Sequence, residues 1–385
     1  MNINQTLSNT FHHGLVIGKF YPPHLGHCLL IRNAALASKI VTVVVMASTA
    51  ELIPLKSRVE WLKSTFIEEK NVRIVGVIDD VAIDYEDEKI WLAHINLMHL
   101  GLEIANTTYS EAPPIDAVFS SEHYGTKMAK YFNAVAVQVD IDRNLVPTSG
   151  TAVRQNLIQQ WSFLPQATQS GLCHRVVIVG GESSGKTTLA KALCQALQKR
   201  AGVFTNTQFV PEFGREYSQL KLRVLQGQAK FNQESSIDNG HLKIPTLFDC
   251  QWWSEEFLHI AKIQTNWENQ ASKMGSPIMI ADTDAFATGF WHKRYMGFDN
   301  LELNDWIKNL PARSLYILPT IYDVPFEQDG LRDGEHIRHQ MHQEFQLALQ
   351  SQKTKWIEVS GPVELRVKQA LIAIDQLHHA FEATT

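Results

Sequence analysis

The chain contains 385 residues, of which 44% are hydrophobic and 19% are charged, and its net charge is −5. This length favours two domains, the composition is typical of a folded protein, and the charge excludes an overall electrostatic signature for nucleic-acid binding. The four cysteines lack the paired spacing of a zinc site or of thioredoxin-like chemistry, so we expect reduced, mostly structural thiols. The N-terminus lacks a signal-peptide pattern. The longest apolar run is too short for a bilayer, so we expect a cytoplasmic protein without a membrane partner.

Short apolar runs alternate with helical patterns through the first half of the chain. The predicted strands are LVIGKF, IVTVVVMA, VRIVGVID, AVFSSE and AVAVQVD, at residues 15–20, 40–47, 72–79, 117–122 and 134–140. These runs are continuously apolar rather than alternating, which indicates parallel strands that are covered on both faces. The pattern predicts a first α/β domain over residues 1–163, with its core at 14–158.

A second series of strands follows a Pro-, Ser- and Gly-bearing stretch, residues 164–173, which we interpret as a linker. The predicted strands are RVVIVG, QFVPE, PIMIAD, SLYILP and KWIEVS, at residues 175–180, 208–212, 277–282, 314–319 and 355–360. The sequence therefore predicts an α/β protein with two tandem domains and mainly parallel sheets, the second domain covering 174–385. The polar stretch 226–243 is predicted to be a mobile loop or an insertion.

The second domain begins with a complete Walker A pattern, GGESSGKTT, between a predicted strand and a predicted helix. Its glycines allow successive backbone N–H groups to face one phosphate, and the helix directs its positive end to the same place. We expect Lys186 to reach the β- and γ-phosphates of ATP and Thr187 to ligate Mg²⁺. The other predicted nucleotide-binding residues are Gly180, Gly181, Glu182, Ser183, Ser184, Gly185 and Thr188.

Acidic and basic side chains follow later strands of this domain. Glu212 and Arg215 follow one strand, Asp282, Thr283 and Asp284 follow another, and the carboxyl ends of parallel strands meet at one edge. An acid there is suited to hold Mg²⁺, for which we name Asp282, or to accept a proton from a substrate hydroxyl, for which all three acids are candidates. A helix cap is an equal alternative for Asp284.

A Gly-punctuated segment near the end of the chain, DVPFEQDGLRDGEHIRHQ, contains Arg332 and Arg338. Small kinases use such a segment as a lid, and its arginines cover the phosphoryl group during transfer. We therefore interpret Arg332 as a catalytic candidate and Arg338 as a nucleotide ligand, with exposed arginines of no catalytic role as the alternative.

The loop GKFYPPHLGH, residues 18–27, lies between a predicted strand and a predicted helix. Gly18 permits a close backbone approach, and His24 and His27 lie at the helix N-terminus, where imidazoles can donate hydrogen bonds to a triphosphate. The loop resembles the GxFxPxHxGH signature of the nucleotidyltransferase superfamily, with a match at each fixed position. A second superfamily element, S-x-T-x-x-R, is matched by Ser149, Thr151 and Arg154, and Ser149 is a candidate cap for the helix that follows.

The combination of the two domains is similar to the NadR-type bifunctional enzymes, which join a nicotinamide-mononucleotide (NMN) adenylyltransferase to a ribosylnicotinamide kinase. The resemblance implies a Rossmann-like nucleotidyltransferase domain and a P-loop kinase domain with ATP, ribosylnicotinamide and NMN as substrates, Mg²⁺ as cofactor and NAD⁺ as product and feedback ligand. It implies catalytic roles for Lys19, His24, His27 and Arg154. Implied contacts with nucleotide or substrate are Gly18, Phe20, Tyr21, Arg58, Trp91, Arg143, Ser149, Thr151, Arg215 and Thr283. For Trp91, a place in the core is an alternative.

One departure from this family concerns regulation. Many relatives carry an N-terminal helix-turn-helix, whereas about a dozen residues precede the first predicted strand here, so we expect no DNA partner. A homo-oligomer is compatible with the sequence. The alternatives are an NAD-responsive regulator, a similar fusion acting on another acceptor and, with least support, a mechanical P-loop ATPase.

Overall fold

The computed structural model describes residues 10–84, 86–231, 237–238, 241–242, 245–327 and 334–379. The chain divides into two compact units, with the boundary between Leu172 and Cys173. Each unit contains its own five-stranded parallel sheet, and the fold class predicted from the sequence is confirmed.

The sheet of the first unit has the strand order β3-β2-β1-β4-β5. Its strands are β1 (Phe11–Gly18), β2 (Ser38–Ala47), β3 (Val72–Ile78), β4 (Ala117–Ser120) and β5 (Val135–Gln138). The chain adds strands on one side of β1 and then continues with β4 on the other side. Ligands of open α/β sheets bind at the carboxyl ends of the strands where the order reverses, which here is the end of β1.

Helices cover both faces of this sheet and bury two apolar clusters against it. Helices α1 (Leu25–Ala37), α2 (Leu55–Thr65), α3 (Glu88–Thr108) and α4 (Gly125–Tyr131) contribute to these clusters. Two shorter helices, α5 (Gly150–Gln155) and α6 (Gln166–Leu172), follow in the chain. The stretch predicted as a linker, 164–173, contains α6, which packs on α2. A Cβ at Gly171 would lie 2.2 Å from the ring of Trp61, so glycine is needed for this close approach.

The sheet of the second unit has the order β12-β11-β6-β10-β7. Its strands are β6 (His174–Ile178), β7 (Gln208–Val210), β10 (Ile278–Asp282), β11 (Leu315–Pro319) and β12 (Trp356–Val359). A separate antiparallel pair consists of β8 (Ile237–Asp238) and β9 (His241–Leu242). Strand β6 lies at the centre, so the loop that follows it lies between the ends of β10 and β11.

The helices of the second unit complete its layers. They are α7 (Lys186–Gln198), α8 (Phe213–Phe231), α9 (Ser254–Ser272), α10 (Ala285–Met296), α11 (Leu301–Lys308), α12 (Arg338–Gln350) and α13 (Val363–His379). Two buried apolar clusters pack against the sheet, and a third joins α9, α10 and α11.

Every strand predicted from the sequence overlaps a strand of one of these sheets. Strand β1 begins earlier than predicted, at Phe11, because its polar residues have partners: the His13 ring contacts the carbonyl of Pro113 and the hydroxyl of Thr42. The polar stretch 226–243 begins as the last turns of α8, includes β8 and β9, and lies otherwise outside the described residues.

Candidate functional sites

The loop after β1 brings the two predicted histidines into contact. The rings of His24 and His27 stack with centroids 3.6 Å apart, and the backbone N–H of His24 donates to Nδ1 of His27 at 3.2 Å. Burial lowers the pKa of His24 to about 4 and holds the pKa of His27 well below its usual range, so both rings are neutral near pH 7. Neutral imidazoles at a helix N-terminus are suited to donate hydrogen bonds to phosphate oxygens.

His24 is the N-cap residue of α1, and its Nδ1 is buried without a hydrogen-bond partner among the described residues. A buried polar atom of this kind is costly unless a water or ligand satisfies it. Gly26 lies against this ring, and a Cβ there would lie 3.0 Å from it. The glycine of the motif therefore leaves room for the imidazole at the helix N-terminus.

The two predicted motifs of the first unit meet through Arg154 and Tyr21, which are 133 positions apart. Nη1 of Arg154 donates to the Tyr21 carbonyl at 2.6 Å, Nη2 donates to the Thr151 hydroxyl at 3.2 Å, and the guanidinium carbon lies 4.6 Å from the centre of the Tyr21 ring. Ser149 caps α5 by accepting a hydrogen bond from the N–H of Ala152, as its sequence position suggested. A Cβ at Gly150 would lie 2.7 Å from the Tyr21 carbonyl, so this contact requires glycine.

Arg58, a predicted substrate-binding residue, lies instead inside the protein with no exposed surface. Its guanidinium donates to the carbonyls of Ile53 and Lys19 and pairs with Glu51 at 2.7 Å. Because its donors are engaged within the protein, we correct the prediction: Arg58 supports the loop. Glu51, which the sequence did not single out, also accepts from the ammonium of Lys19 at 3.1 Å.

Trp91, the candidate for stacking on nicotinamide, is only 6% exposed and lies on α3. Its ring lies nearly parallel to that of Tyr131, and the ammonium of Lys127 lies 4.6 Å from its centre. The core alternative is therefore the one that the structure favours. Phe20 is also buried, with its ring 4.8 Å from that of His27, so it supports the histidine from inside.

Arg143 has a left-handed backbone conformation and pairs with Glu122 at 2.7 Å, and both side chains are partly exposed. Its positive charge is close enough to the two histidines to contribute to the lowering of their pKa values after burial. Gly18 is the last residue of β1 and begins the loop. The predicted cations Lys19, Arg143 and Arg154 thus lie around the loop that contains His24 and His27.

The second site is a cavity of about 400 Å³ beside the Walker A loop. Gly180, Ser183 and Gly185 have positive φ angles, which curl the loop before α7 begins at Lys186. The cavity is lined in part by residues that the sequence predicted as site residues: Glu182, Ser183, Ser184, Gly185, Lys186, Thr187, Thr188, Glu212, Arg215 and Thr283. Gly180 and Gly181 form the preceding part of the loop.

The two polar residues that begin α7 have partners in the protein. The ammonium of Lys186 donates to the Gly181 carbonyl at 2.8 Å, and the hydroxyl of Thr187 donates to Oδ2 of Asp282 at 2.5 Å. Oδ1 of Asp282 is buried without a hydrogen-bond partner among the described residues. A hydroxyl and a partly satisfied carboxylate side by side are oxygen ligands of the kind that Mg²⁺ prefers, directly or through water.

Glu212 lines the cavity, and burial raises its pKa to about 7, although the ammonium of Lys186 opposes the shift. Burial also raises the pKa of Asp282, again opposed by Lys186. A carboxyl group with a pKa near 7 is suited to exchange a proton at neutral pH. Of the three predicted acids, Glu212 is the one that lines the cavity, within the part of the chain that the structure describes.

Asp284, a predicted catalytic candidate, is fully buried and has a structural role instead. It caps α10 by accepting from the N–H groups of Phe286 and Ala287, and its Oδ2 accepts from Arg313 and Tyr316, both at 2.9 Å. The cap alternative is therefore the one that the structure supports, and both carboxylate oxygens are used. Its neighbour Thr283 lines the cavity with a φ of 72°.

Arg338 was predicted to cover the nucleotide from a lid, but it lies inside the protein and is only 9% exposed. Its Nη2 donates to the carbonyls of Ser183 at 2.7 Å and Val324 at 2.8 Å. It therefore contacts the backbone of the Walker A loop. Arg332 lies outside the described residues.

Sequence reasoning missed the aromatic part of the cavity, which is lined by Trp252, Phe257, Trp291 and Tyr295. The ring of Trp252 is held by Lys221, whose ammonium lies 4.5 Å from its centre and pairs with Glu256. The stretch QWWSEEF, with paired tryptophans and acids, was an available signal. Aromatic walls beside a phosphate-binding loop suit a flat ring attached to a sugar.

Sequence reasoning also missed Arg366, a residue of α13 that is 2% exposed and lines the cavity. It donates to the carbonyls of Ser184, Gly361 and Thr320 and pairs with Asp323. No local motif surrounds this arginine in the sequence.

Metal clusters and membrane-spanning helices are absent from the described ranges. These ranges contain no group of three or more His, Cys, Asp or Glu side chains that is arranged to hold a metal ion. Likewise, none of the described helices is both long enough and apolar enough to cross a membrane.

These features define a chain with two α/β units, the second of which begins with a Walker A loop; residues 175–366 match the family model of the AAA domain. The chain is 24% identical over 332 residues to the trifunctional NAD biosynthesis/regulator protein NadR of Salmonella typhimurium (strain LT2) and, equally, to that of Escherichia coli (strain K12). Each alignment covers 83% of this chain and 71% of the relative.

Solved structures of NadR proteins share the fold. A NadR protein in complex with NR superposes with a TM-score of 0.66 at 20% identity, covering 96% of this chain and 98% of that one. A NadR protein in complex with NAD and AMP-PNP gives 0.64 at 21% identity, with 98% of each chain covered. This chain therefore has a NadR-like fold along nearly its whole length.

Proposed function

We propose that this chain is a bifunctional enzyme of NAD biosynthesis. Its second unit phosphorylates ribosylnicotinamide with ATP to give NMN, and its first unit transfers the adenylyl group of a second ATP to NMN, giving NAD⁺ and pyrophosphate. The observation that carries the proposal is the assembly of both phosphate-binding loops with their motif residues, within a fold that NadR proteins share along the chain.

The kinase step is assigned to the cavity of about 400 Å³. The 5′-hydroxyl oxygen of ribosylnicotinamide attacks the γ-phosphorus of ATP, the bond to the β-phosphate oxygen breaks, and ADP leaves. Glu212, which lines the cavity, accepts the hydroxyl proton, and Lys186 binds the phosphates. The aromatic walls Trp252 and Tyr295 bind the nicotinamide ring.

Magnesium fits beside the Walker A loop. The Thr187 hydroxyl and the partly unsatisfied carboxylate of Asp282 are the residues that would hold it. When bound, the ion would supply positive charge that stabilises the negative charge developing during phosphoryl transfer. Thr283 and Arg215 complete the cavity wall near these acids.

The adenylyl step is assigned to the loop after β1. A phosphate oxygen of NMN attacks the α-phosphorus of ATP, and the bond to pyrophosphate breaks. The NMN phosphate is already a nucleophile near neutral pH, so no general base is needed. His24 and His27 donate hydrogen bonds to the triphosphate, and Lys19, Arg143 and Arg154 supply positive charge around the leaving pyrophosphate.

Incubation of the protein with ribosylnicotinamide, ATP and Mg²⁺, followed by mass spectrometry of the products, tests both steps. We expect NMN first and NAD⁺ afterwards. Formation of NMN without NAD⁺ would refute the adenylyl step. The absence of both products would refute the whole proposal. Parallel reactions with pantetheine phosphate or other acceptors test whether the fusion acts on a different metabolite, and a gel-shift with DNA in the presence of NAD⁺ tests a regulatory role.

A further inference from the structure

Two buried arginines donate to consecutive carbonyls of the Walker A loop. Arg338 donates to the carbonyl of Ser183 at 2.7 Å, and Arg366 donates to that of Ser184 at 2.9 Å. Arg338 begins α12 and Arg366 lies on α13, so the two contacts come from different helices. Both side chains are at least nine-tenths buried.

A peptide bond is planar and trans, and its C=O and N–H groups point in opposite directions. A donor that fixes the Ser183 carbonyl therefore also fixes the direction of the N–H of Ser184, on the other side of the loop. The bond from Arg366 to the Ser184 carbonyl fixes the N–H of Gly185 in the same way. These N–H groups belong to the curled segment whose amides face a phosphate.

The loop needs such support because its backbone is strained. Ser183 has a φ of 52°, and Gly185 has a φ of 82°. A non-glycine residue in this left-handed region costs about 1 kcal/mol or more relative to ordinary conformations. Donors that hold the Ser183 and Ser184 carbonyls oppose rotation of these peptide planes.

Arg366 is suited to this role because each of its three guanidinium nitrogens donates to an acceptor in the protein. Nε donates to Gly361, Nη1 to Ser184 and Nη2 to Thr320, and the charge is paired with Asp323. Arg338 joins the loop to the Val324 carbonyl in a similar way. The arginine fork allows several fixed hydrogen bonds at once, which lysine cannot provide.

We propose that Arg338 and Arg366 are positioning residues that orient two phosphate-binding amides of the Walker A loop, through the carbonyls of Ser183 and Ser184. The inference rests on the proposed function only in that a nucleoside triphosphate binds at this loop. Both arginines should therefore affect the affinity for the triphosphate. They should not affect binding of the acceptor ring, which lies against the aromatic part of the cavity.

The test compares Arg338→Met and Arg366→Met with wild type in the full chain, by titration with AMP-PNP and Mg²⁺. Because each unit is proposed to bind a nucleotide, Lys186→Ala serves to identify the AMP-PNP binding step at the Walker A loop, which this variant should lose. Since hydrogen bonds from charged donors are involved, we expect this step to weaken about 10- to 100-fold in each variant. Ribosylnicotinamide has no phosphate, so its affinity should change less than about 3-fold.

Arg200→Met is the matched control. Arg200 pairs with Asp375 of α13, as Arg366 pairs with Asp323, but it contacts no residue of the Walker A loop among its described contacts. This control should bind AMP-PNP like wild type. Should Arg366→Met fail to fold, Arg366→Lys, which keeps the charge but not the fork, should show the same selective loss to a smaller extent.

Unchanged AMP-PNP affinity in both methionine variants would overturn the inference. So would an equal loss of AMP-PNP and ribosylnicotinamide binding, because that pattern indicates general damage to the unit. If wild type binds AMP-PNP at the Walker A loop but does not bind ribosylnicotinamide, the proposed kinase function fails while the AMP-PNP comparison still decides the role of the arginines.

Discussion

Replacement of Arg58 by methionine tests whether this buried arginine holds the loop after β1. In the native chain the guanidinium pairs with Glu51 at 2.7 Å and donates to the carbonyls of Lys19 and Ile53, with no exposed surface. Methionine fills much of the volume but leaves the carboxylate and both carbonyls without this donor. Breaking a buried pair costs about 3–5 kcal/mol.

The magnitude can be measured as the shift of a thermal transition. For a unit of this size, each kcal/mol lowers the midpoint by about 2–4 °C, so the transition of the first unit should fall by about 6–20 °C. The assay is calorimetry of the full chain, in which the transition of the second unit serves as an internal reference. We also expect adenylyl transfer to decline, because the Lys19 carbonyl lies at the start of the loop.

Arg32→Met is the matched control in the same unit. Arg32 also pairs with a glutamate, Glu69, but at 3.4 Å and with about half of its side chain exposed. Exposed pairs contribute about 0–1 kcal/mol, so this variant should shift the midpoint by at most about 4 °C. Equal shifts for Arg58→Met and Arg32→Met would refute the reasoning that burial makes the first pair essential.

Further variants separate the two proposed activities and the roles of the acids. Lys186→Ala should abolish phosphorylation of ribosylnicotinamide while adenylyl transfer persists. His27→Ala should lower adenylyl transfer by about 10²–10³-fold while phosphorylation persists. Loss of both activities from either change would contradict two independent sites. The raised pKa of Glu212 predicts that the kinase rate falls as pH drops below about 7, because the carboxyl group then becomes protonated. The variant Glu212→Gln should be slow, and its rate should not depend on pH in this range. A variant with the same pH–rate profile as wild type would exclude Glu212 as the base. Asp284→Ala should lower the stability of the second unit by about 3–5 kcal/mol in denaturant unfolding, against about 1 kcal/mol for the simple cap Asn300→Ala, and a similar small loss for both would contradict a buried network.

The strands and the two loops were predictable because their signals are local. Continuous apolar runs specify the parallel strands, and the motifs GKFYPPHLGH and GGESSGKTT place glycines where the backbone needs them. The Ser149 cap is also local, since donor and acceptor are three residues apart. Such features depend on neighbours in sequence and need no knowledge of the rest of the fold.

The burial of particular charged side chains was not predictable from the sequence. A motif position identifies Arg58 as close to the site but does not show whether it points outwards to a substrate or inwards to Glu51. Asp284 follows a strand as a catalytic acid would, yet Arg313 and Tyr316, from later in the chain, donate hydrogen bonds to its carboxylate. The partners that decide these roles are 7 to 32 positions away from them.

The same arrangement recurs in both units and explains why arginines near phosphate loops are easily misassigned. In each unit, two arginines from later elements donate to backbone carbonyls of the loop that follows the first strand of the sheet. The pairs are Arg58 with Lys19, Arg154 with Tyr21, Arg338 with Ser183 and Arg366 with Ser184. The Walker A loop consists largely of glycine and serine, so it has few large side chains with which to fix its own backbone. A guanidinium has donors but no acceptor, so it can hold a carbonyl while its charge favours phosphate nearby. An arginine of this kind holds the backbone of the loop and also adds positive charge beside it, so its loss should disturb both the geometry of the loop and its charge.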